Sequence, residues 1–264
     1  MNKTGEEPIL SLPERHNRIL ALLQQFGSIS VAQLAKRFKV SEVTIRKDLS
    51  YLEQQKKLYR THGSAILISP YISDRHVNEK EKRNVAEKRA IGAFAASLIA
   101  QDDSIIIASG TTVTFLAREI NPAGHLTAIT ASVPVTQILS QCPDVDVIQL
   151  GGITRSSSVS VVGPFAEQML RSFNCSKLFI GVDGIDTEFG LTTTNMLEAS
   201  LNGAMIDAAQ KVIVLADSSK FGRRGFSKIC DLESVDRIIT DSGVQSVYLD
   251  RLRERGIEVT VVDV

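Results

Sequence analysis

From residue 105 to residue 262, short runs of Val, Ile and Leu alternate with stretches of helical length, and this alternation limits the fold more than any other feature of the chain. The apolar runs are 105–107, 126–130, 145–150, 178–182, 212–216, 237–240 and 259–262; helices fit between them at 113–120, 133–141, 165–173, 196–209 and 244–255. Continuous apolar runs suit strands covered on both faces, so the pattern predicts an α/β domain with a largely parallel sheet. Ligands of such sheets bind outside the carboxyl ends of the strands. Small polar residues recur at those ends. Ser109, Gly110, Thr111 and Thr112 follow the first run and open a helix, where amides, hydroxyls and the helix dipole favour a phosphate. Thr130 and Ser132 close the second run, Gly151, Gly152 and Arg155 follow the third, Asp183 and Asp186 the fourth, and Lys220 the fifth. Taken singly, each loop reads equally well as a turn with a capping residue, and Lys220 as a surface lysine. Their shared placement at one sheet edge points to a ligand pocket.

The first quarter of the chain has a different period. Residues 41–53 read as a helix with Ile45, Leu49 and Leu52 on one stripe and Val43, Lys47 and Ser50 facing away. Ser41 can cap its start, and Thr44, Arg46 and Lys47 supply hydroxyl and cationic donors suited to phosphates and base edges. A lone helix of this kind is ordinarily a solvated surface helix, but its neighbours argue otherwise. Ser30 and Gln33 have the form of a capping box before a short helix carrying Leu34, Ala35 and Phe38, and a tight turn at Lys39 and Val40 joins the two. Before them, Pro13 suits the first turn of a helix carrying Ile19, Leu22, Leu23 and Phe26 and ended by Gly27. After them, residues 57–67 alternate weakly around a turn with Gly63, as a small hairpin or wing would. A winged helix-turn-helix is expected, with Ser41, Val43, Thr44, Arg46, Lys47, Ser50, Lys56, Lys57, Arg60 and His62 as its DNA-binding residues.

The run from Val40 to Leu49, followed by Leu52, Glu53 and the stretch Arg60-Thr61-His62-Gly63-Ser64-Ala65, closely resembles the winged helix-turn-helix of the DeoR-type (GlpR-type) bacterial regulators of sugar metabolism. Lys56 and Lys57 stand where that family has a Gly and an apolar residue, and Ser64 replaces the second Gly of its turn. The resemblance covers roughly residues 12–262. Ser109-Gly110-Thr111-Thr112, Leu150-Gly151-Gly152, the stretch Gly181 to Asp186 and the stretch Ala216 to Gly222 look like the family's effector domain, itself similar to ribose-5-phosphate isomerases and CoA-transferase-like proteins. The resemblance implies a transcription regulator, a repressor of a carbohydrate catabolism or transport operon, whose affinity for double-stranded operator DNA is controlled by a phosphorylated sugar metabolite. Ala108 replaces an Asp before the phosphate loop and Ala131 an Asn after Thr130, so two side chains of the family's usual hydrogen-bonding set are missing.

Charge and length fit two domains. The 264 residues carry no net charge, but residues 1–68 hold 11 Lys and Arg against 6 Asp and Glu, leaving 19 against 24 beyond them. A basic DNA-binding domain over 1–68, a linker and helix start over 69–89, and an effector domain over 90–264 are expected. Residues 1–8 are expected to be loose, and the charge run from Glu79 to Arg83 reads as a solvated helix start with no site role. Over 79–101 the charged segment turns into a helix with Ile91, Phe94, Ala95 and Leu98 on one side. Cys142, Cys175 and Cys230 are too dispersed for a zinc knuckle, and neither a metal nor a cofactor is implied. With no signal segment or membrane span, a cytoplasmic location is expected, and paired half-sites favour a homo-oligomer. Asp183, Asp186, Glu198 and Lys220 are candidates for isomerase chemistry, but the lysine- and glycine-rich loop that precedes the catalytic glutamate in similar isomerases is absent and residues 187–197 contain no lysine, so a binding pocket is favoured over a sugar-phosphate isomerase carrying a DNA-binding appendage.

Overall fold

A computed structural model of the chain describes residues 11–26, 28–55, 57–61, 63–67 and 76–264. The expectations for residues 1–8, Gly27, Lys56, His62 and residues 70–75 lie outside them. The chain divides into two compact units, Met1–Pro70 and Tyr71–Val264.

In the first unit, α1 (Leu12–Phe26), α2 (Val31–Phe38) and α3 (Glu42–Gln54) accompany β1 (Ser28–Ser30), β2 (Leu58–Thr61) and β3 (Ser64–Leu67). The capping box is present: Ser30 accepts from the Gln33 amide at 3.1 Å, and the Gln33 side chain accepts from the Ser30 amide at 3.0 Å. Lys39 adopts φ 54° to close α2, and Ser41 caps α3 by accepting from the Thr44 amide at 3.1 Å. Ile19, Leu23, Leu34, Ile45, Leu49, Leu52 and Leu58 are buried together, so one stripe of each helix builds a single core. Asp48 is buried on the same side of α3, held by two bonds from Arg15 of α1 at 2.6 and 3.0 Å and by His16 at 3.1 Å. The hairpin was expected; β1, which pairs antiparallel with β3, is an addition.

In the second unit, α4 (Val77–Glu81) and α5 (Val85–Ala96) precede β4 (Ser104–Ile107), α6 (Thr111–Glu119), β5 (Leu126–Thr130), α7 (Val133–Leu139) and β6 (Val145–Gln149). The chain continues through β7 (Ile153–Arg155), β8 (Ser160–Val162), α8 (Pro164–Leu170), β9 (Lys177–Gly181), β10 (Gly184–Asp186), β11 (Gly190–Thr193) and α9 (Met196–Asp207). It ends with β12 (Val212–Leu215), β13 (Ser227–Cys230), β14 (Arg237–Asp241), α10 (Ser246–Glu254) and β15 (Glu258–Val262). Among the described residues, seven of these strands form one parallel sheet in the order β15-β14-β12-β9-β4-β5-β6. Successive side chains serve opposite faces: Ile105, Ile107, Phe179 and Ile213 pack with Ile91, Val113 and Leu116, while Ile106, Leu178, Ile180 and Val214 pack with Ala166, Leu201 and Met205.

Both faces are therefore covered, as the continuous apolar runs require. Close packing of α5 on α6 depends on Gly92, where a Cβ would lie 2.7 Å from the Leu116 amide nitrogen. The antiparallel pair β7–β8 and the small sheet β10-β11-β13 were not foreseen. The charged segment expected to turn into one helix over 79–101 is two helices, broken at Asn84, whose φ of 49° is left-handed and cannot continue an α-helix. Within the stretch 69–89, expected to hold a linker and the start of a connecting helix, α4 and the first turn of α5 fall in the second unit. Among the described residues, no helix is long and apolar enough to cross a membrane.

Candidate functional site

From β4 the chain lays β5 and β6 on one side, then returns to place β9, β12, β14 and β15 on the other. The order therefore reverses between β4 and β9, and a crevice opens where their carboxyl ends diverge. That crevice is the cleft of the second unit. Ser109, Gly110, Thr111 and Thr112 line one wall, and Gly181, Val182 and Asp183 the other. Gly110 precedes α6 at φ 134°, a conformation that an L side chain rarely adopts, and it leaves the first turn of α6 without a side-chain cap. Orphan amides, the helix dipole and two threonine hydroxyls thus converge on the cleft.

Charged side chains occupy its floor and rim. Asp183 accepts from Lys80 Nζ at 2.8 Å and from the Thr193 and Thr194 hydroxyls at 3.2 and 3.4 Å, with Lys220 Nζ 3.9 Å away. Burial opposes the Asp183 charge, but Lys80 and Lys220 outweigh it and hold the carboxyl below the usual carboxylate range. Burial pushes the Lys220 ammonium below its ordinary value, against the pull of Asp183 and Asp217. Lys220 ends a single 3-10 turn capped by Asp217, which accepts from the Ser219 amide at 3.1 Å and from Asn84 Nδ2 at 2.9 Å. Glu198 of α9 also lines the cleft, paired with Arg155 at 2.9 Å and accepting from Thr193 at 3.3 Å.

The structure thus brings Ser109, Gly110, Thr111, Thr112, Asp183 and Lys220 to one cleft. Other residues expected there stand elsewhere. Arg155 is not part of the lining but bonds two residues that are, Glu198 at 2.9 Å and the Ser157 hydroxyl at 2.8 Å. Thr130 is fully buried, donating to the Ile107 carbonyl at 2.7 Å and accepting from the Ser132 amide at 3.0 Å, so it ties β4 to β5. Ser132 caps α7, accepting from the Val135 amide. Asp186 is taken up by Arg224 at 2.8 and 3.0 Å and by the Glu188 and Phe189 amides, which makes it the anchor of a turn. Gly151 and Gly152 lie outside the cleft lining; a Cβ on Gly152 would meet the Val162 carbonyl oxygen at 2.7 Å, so backbone approach explains that glycine. Lys80, Ser157, Ser158, Thr193 and Asn202 line the cleft and were not foreseen there. For Lys80 the reading as a solvated charge is corrected by its bond to Asp183.

In the first unit, Ser41, Val43, Arg46 and Lys47 are exposed along α3, and Thr44 and Ser50 are half-buried. Arg46 pairs with Glu42 one turn earlier at 2.7 Å, which leaves its guanidinium on the surface. Arg60 of β2 donates to the Ser50 hydroxyl, and its amide donates to Glu53 at 2.9 Å, so the hairpin is fastened to the end of α3. Lys57 is exposed just before β2. Tyr51, half exposed, stacks on His16 with ring centroids 5.1 Å apart and extends the solvent-facing side of α3. Among the described residues, no group of three or more His, Cys, Asp or Glu side chains could hold a metal ion.

Known families match both units. Residues 15–71 match the DeoR-like helix-turn-helix domain and residues 83–242 the DeoR C terminal sensor domain. An uncharacterized HTH-type transcriptional regulator of Bacillus subtilis is 39% identical over 94% of this chain and 96% of its own length. A putative aga operon transcriptional repressor of Escherichia coli O157:H7 is 37% identical over 98% of this chain and 97% of its own. The lactose phosphotransferase system repressor of Streptococcus mutans is 36% identical over 86% of this chain and 91% of its own.

Proposed function

The chain belongs to the DeoR family of DNA-binding transcriptional regulators, and from that premise we propose that it represses a carbohydrate operon under the control of a phosphorylated sugar metabolite bound between β4 and β9. The lactose repressor among its relatives supports the carbohydrate class by its name. The observation that carries the ligand reading is the cleft: the first turn of α6, with Thr111 and Thr112, shares it with the half-buried cation Lys220. Unbonded amides and a half-buried ammonium suit a phosphate group, while Asn202 offers a partner for sugar hydroxyls.

Binding without turnover fits the carboxylates. A base for proton abstraction needs a free lone pair facing substrate, whereas Asp183 is held by lysines and threonines and Glu198 by Arg155. The α3 face with Arg46 and Lys47 serves the operator. A homo-oligomer reading two half-sites accounts for how one short helix per chain reaches operator affinity. The test is a titration of operator DNA with the full-length chain in the presence of candidate phosphosugars, alongside an isomerase assay on the same sugars. Release of operator without turnover is the expected result; turnover of a phosphosugar overturns the binding-only reading.

A further inference from the structure

The segment from Val77 to Lys88 is fastened to the cleft at several points. The Val77 amide donates to the Ser157 carbonyl at 2.7 Å, Lys80 reaches Asp183, and Glu81 pairs with Arg118 of α6 at 2.6 Å. Asn84, held left-handed, donates to Asp217 beside Lys220. Lys88, only 3% exposed, turns back to donate to the carbonyls of Lys80 and Arg83 and so closes the loop between α4 and α5. Thus α4 is a strap across the cleft, and both Val77 and Lys80 line the cavity. In sequence, the strap begins within ten residues of the end of the DNA-binding unit.

An ammonium has three donors, and among the described residues Lys80 Nζ bonds to Asp183 alone. An anionic group in the cleft can therefore add a bond to Lys80 without displacing Asp183. We propose that Lys80 is an effector-binding residue of the cleft, and that an anionic ligand bridging Lys80 and Lys220 locks α4 down and passes its signal to the chain through that strap. The proposal rests on the reading of this cleft as the effector site and adds to it the residue that couples occupancy to movement. Because such a ligand gains the Lys80 bond only when the strap is docked, it favours that state by its differential affinity, which is the requirement for any ligand-driven shift.

The test uses the full-length chain and inorganic phosphate as the probe, followed by calorimetry and by amide hydrogen exchange. Lys80→Met is expected to bind phosphate about tenfold more weakly than the wild type, with Lys80→Arg recovering most of the loss. In the wild type, phosphate is expected to slow exchange of the strap amides, Val77 among them, about fivefold or more, an effect on local opening that a merely structural lysine would not produce. If Thr111→Val and Lys220→Met weaken phosphate binding while Lys80→Met binds as the wild type does, this inference is overturned and the cleft stands. If phosphate does not bind the wild type, or no variant weakens it, the cleft reading fails and the inference with it. Unchanged or faster exchange of the strap in the phosphate-bound wild type overturns the coupling without needing any variant.

Discussion

Arg46 and Lys47, proposed to face the operator, differ in what each would give up to reach it. The Arg46–Glu42 pair is exposed on both sides, so releasing the guanidinium to a phosphate or base edge costs a few tenths of a kcal/mol. Lys47 is exposed on the same helix. Replacing either by Ala is expected to weaken operator binding, and loss of a phosphate contact lowers the salt slope by about one unit; titrations at several salt concentrations check this, and unchanged slopes in both variants would remove α3 from the groove. In the cleft, Thr111→Val preserves volume while deleting a hydroxyl, and Lys220→Met keeps most of the stem while deleting the charge. Each is expected to raise the metabolite concentration needed for operator release, about tenfold or more for Lys220→Met, where a charge-assisted bond of about 1.5–3 kcal/mol is lost. Calorimetry with the cognate phosphosugar reads the same loss directly. The residues that sequence reading and structure both put at the cleft follow β4, β9 or β12, where chain position alone aims them at the carboxyl edge of the sheet. Lys80 was hidden because its partner, Asp183, is 103 positions away, and a run of alternating charges gives no sign of which one reaches a distant carboxylate. Asp186 was misplaced for the converse reason: a carboxylate beside a ligand loop looks the same in sequence whether it faces the ligand or an arginine such as Arg224.

Elements with a strong period were legible and short ones were not. The seven strands of the parallel sheet are rich in Val, Ile and Leu, near-continuously so at β4 and β12, and hydrophobic pattern locates such runs without tertiary knowledge. By contrast β7, β8 and β10 are each three residues long, too short to establish an alternation, and exist because the chain around the sheet edge pairs with itself. The break between α4 and α5 falls at Asn84, a residue that tolerates the left-handed region but does not by itself end a helix; Lys88 donates to the carbonyls of Lys80 and Arg83 across the break. Burial holds the Lys88 ammonium below its ordinary 10.5, at about 8, so between those values the folded chain binds fewer protons there than the unfolded chain. Stability owed to this group therefore rises with pH across that window, with a slope of at most about 1.4 kcal/mol per unit. The neutral amine keeps two N–H donors for its two carbonyls. Denaturation of wild type and Lys88→Met at pH 7.5 and pH 9.5 checks the sign: the wild type gains relative to the variant at the higher pH, and a relative loss would mean that Lys88 is held charged.

At the scale of the whole molecule, charge and chemistry are separated along the chain: the excess of cations lies in residues 1–68 and the cleft lies beyond residue 76. Long-range attraction to DNA therefore belongs to the first unit, and the second must act on it through a shared conformational equilibrium. A shared equilibrium has a consequence that does not depend on knowing the states. If the metabolite weakens operator affinity by some factor, operator must weaken metabolite affinity by the same factor, because both measure one coupling free energy. For the common range of about 1–3 kcal/mol, that factor is about 5 to 150. The expected outcome is that calorimetric titration of the phosphosugar, with and without saturating operator, gives the same ratio as operator titrations with and without saturating phosphosugar. Lys80→Met is expected to reduce both ratios together, since it lowers the ligand's preference for the docked strap. Equal loss of metabolite affinity in the free and operator-bound forms, with the ratio unchanged, would make Lys80 a binding residue that takes no part in the coupling. A mismatch between the two ratios in the wild type would mean that the titrations follow different assemblies, and sedimentation of the chain with and without operator would identify which one changes its number of subunits.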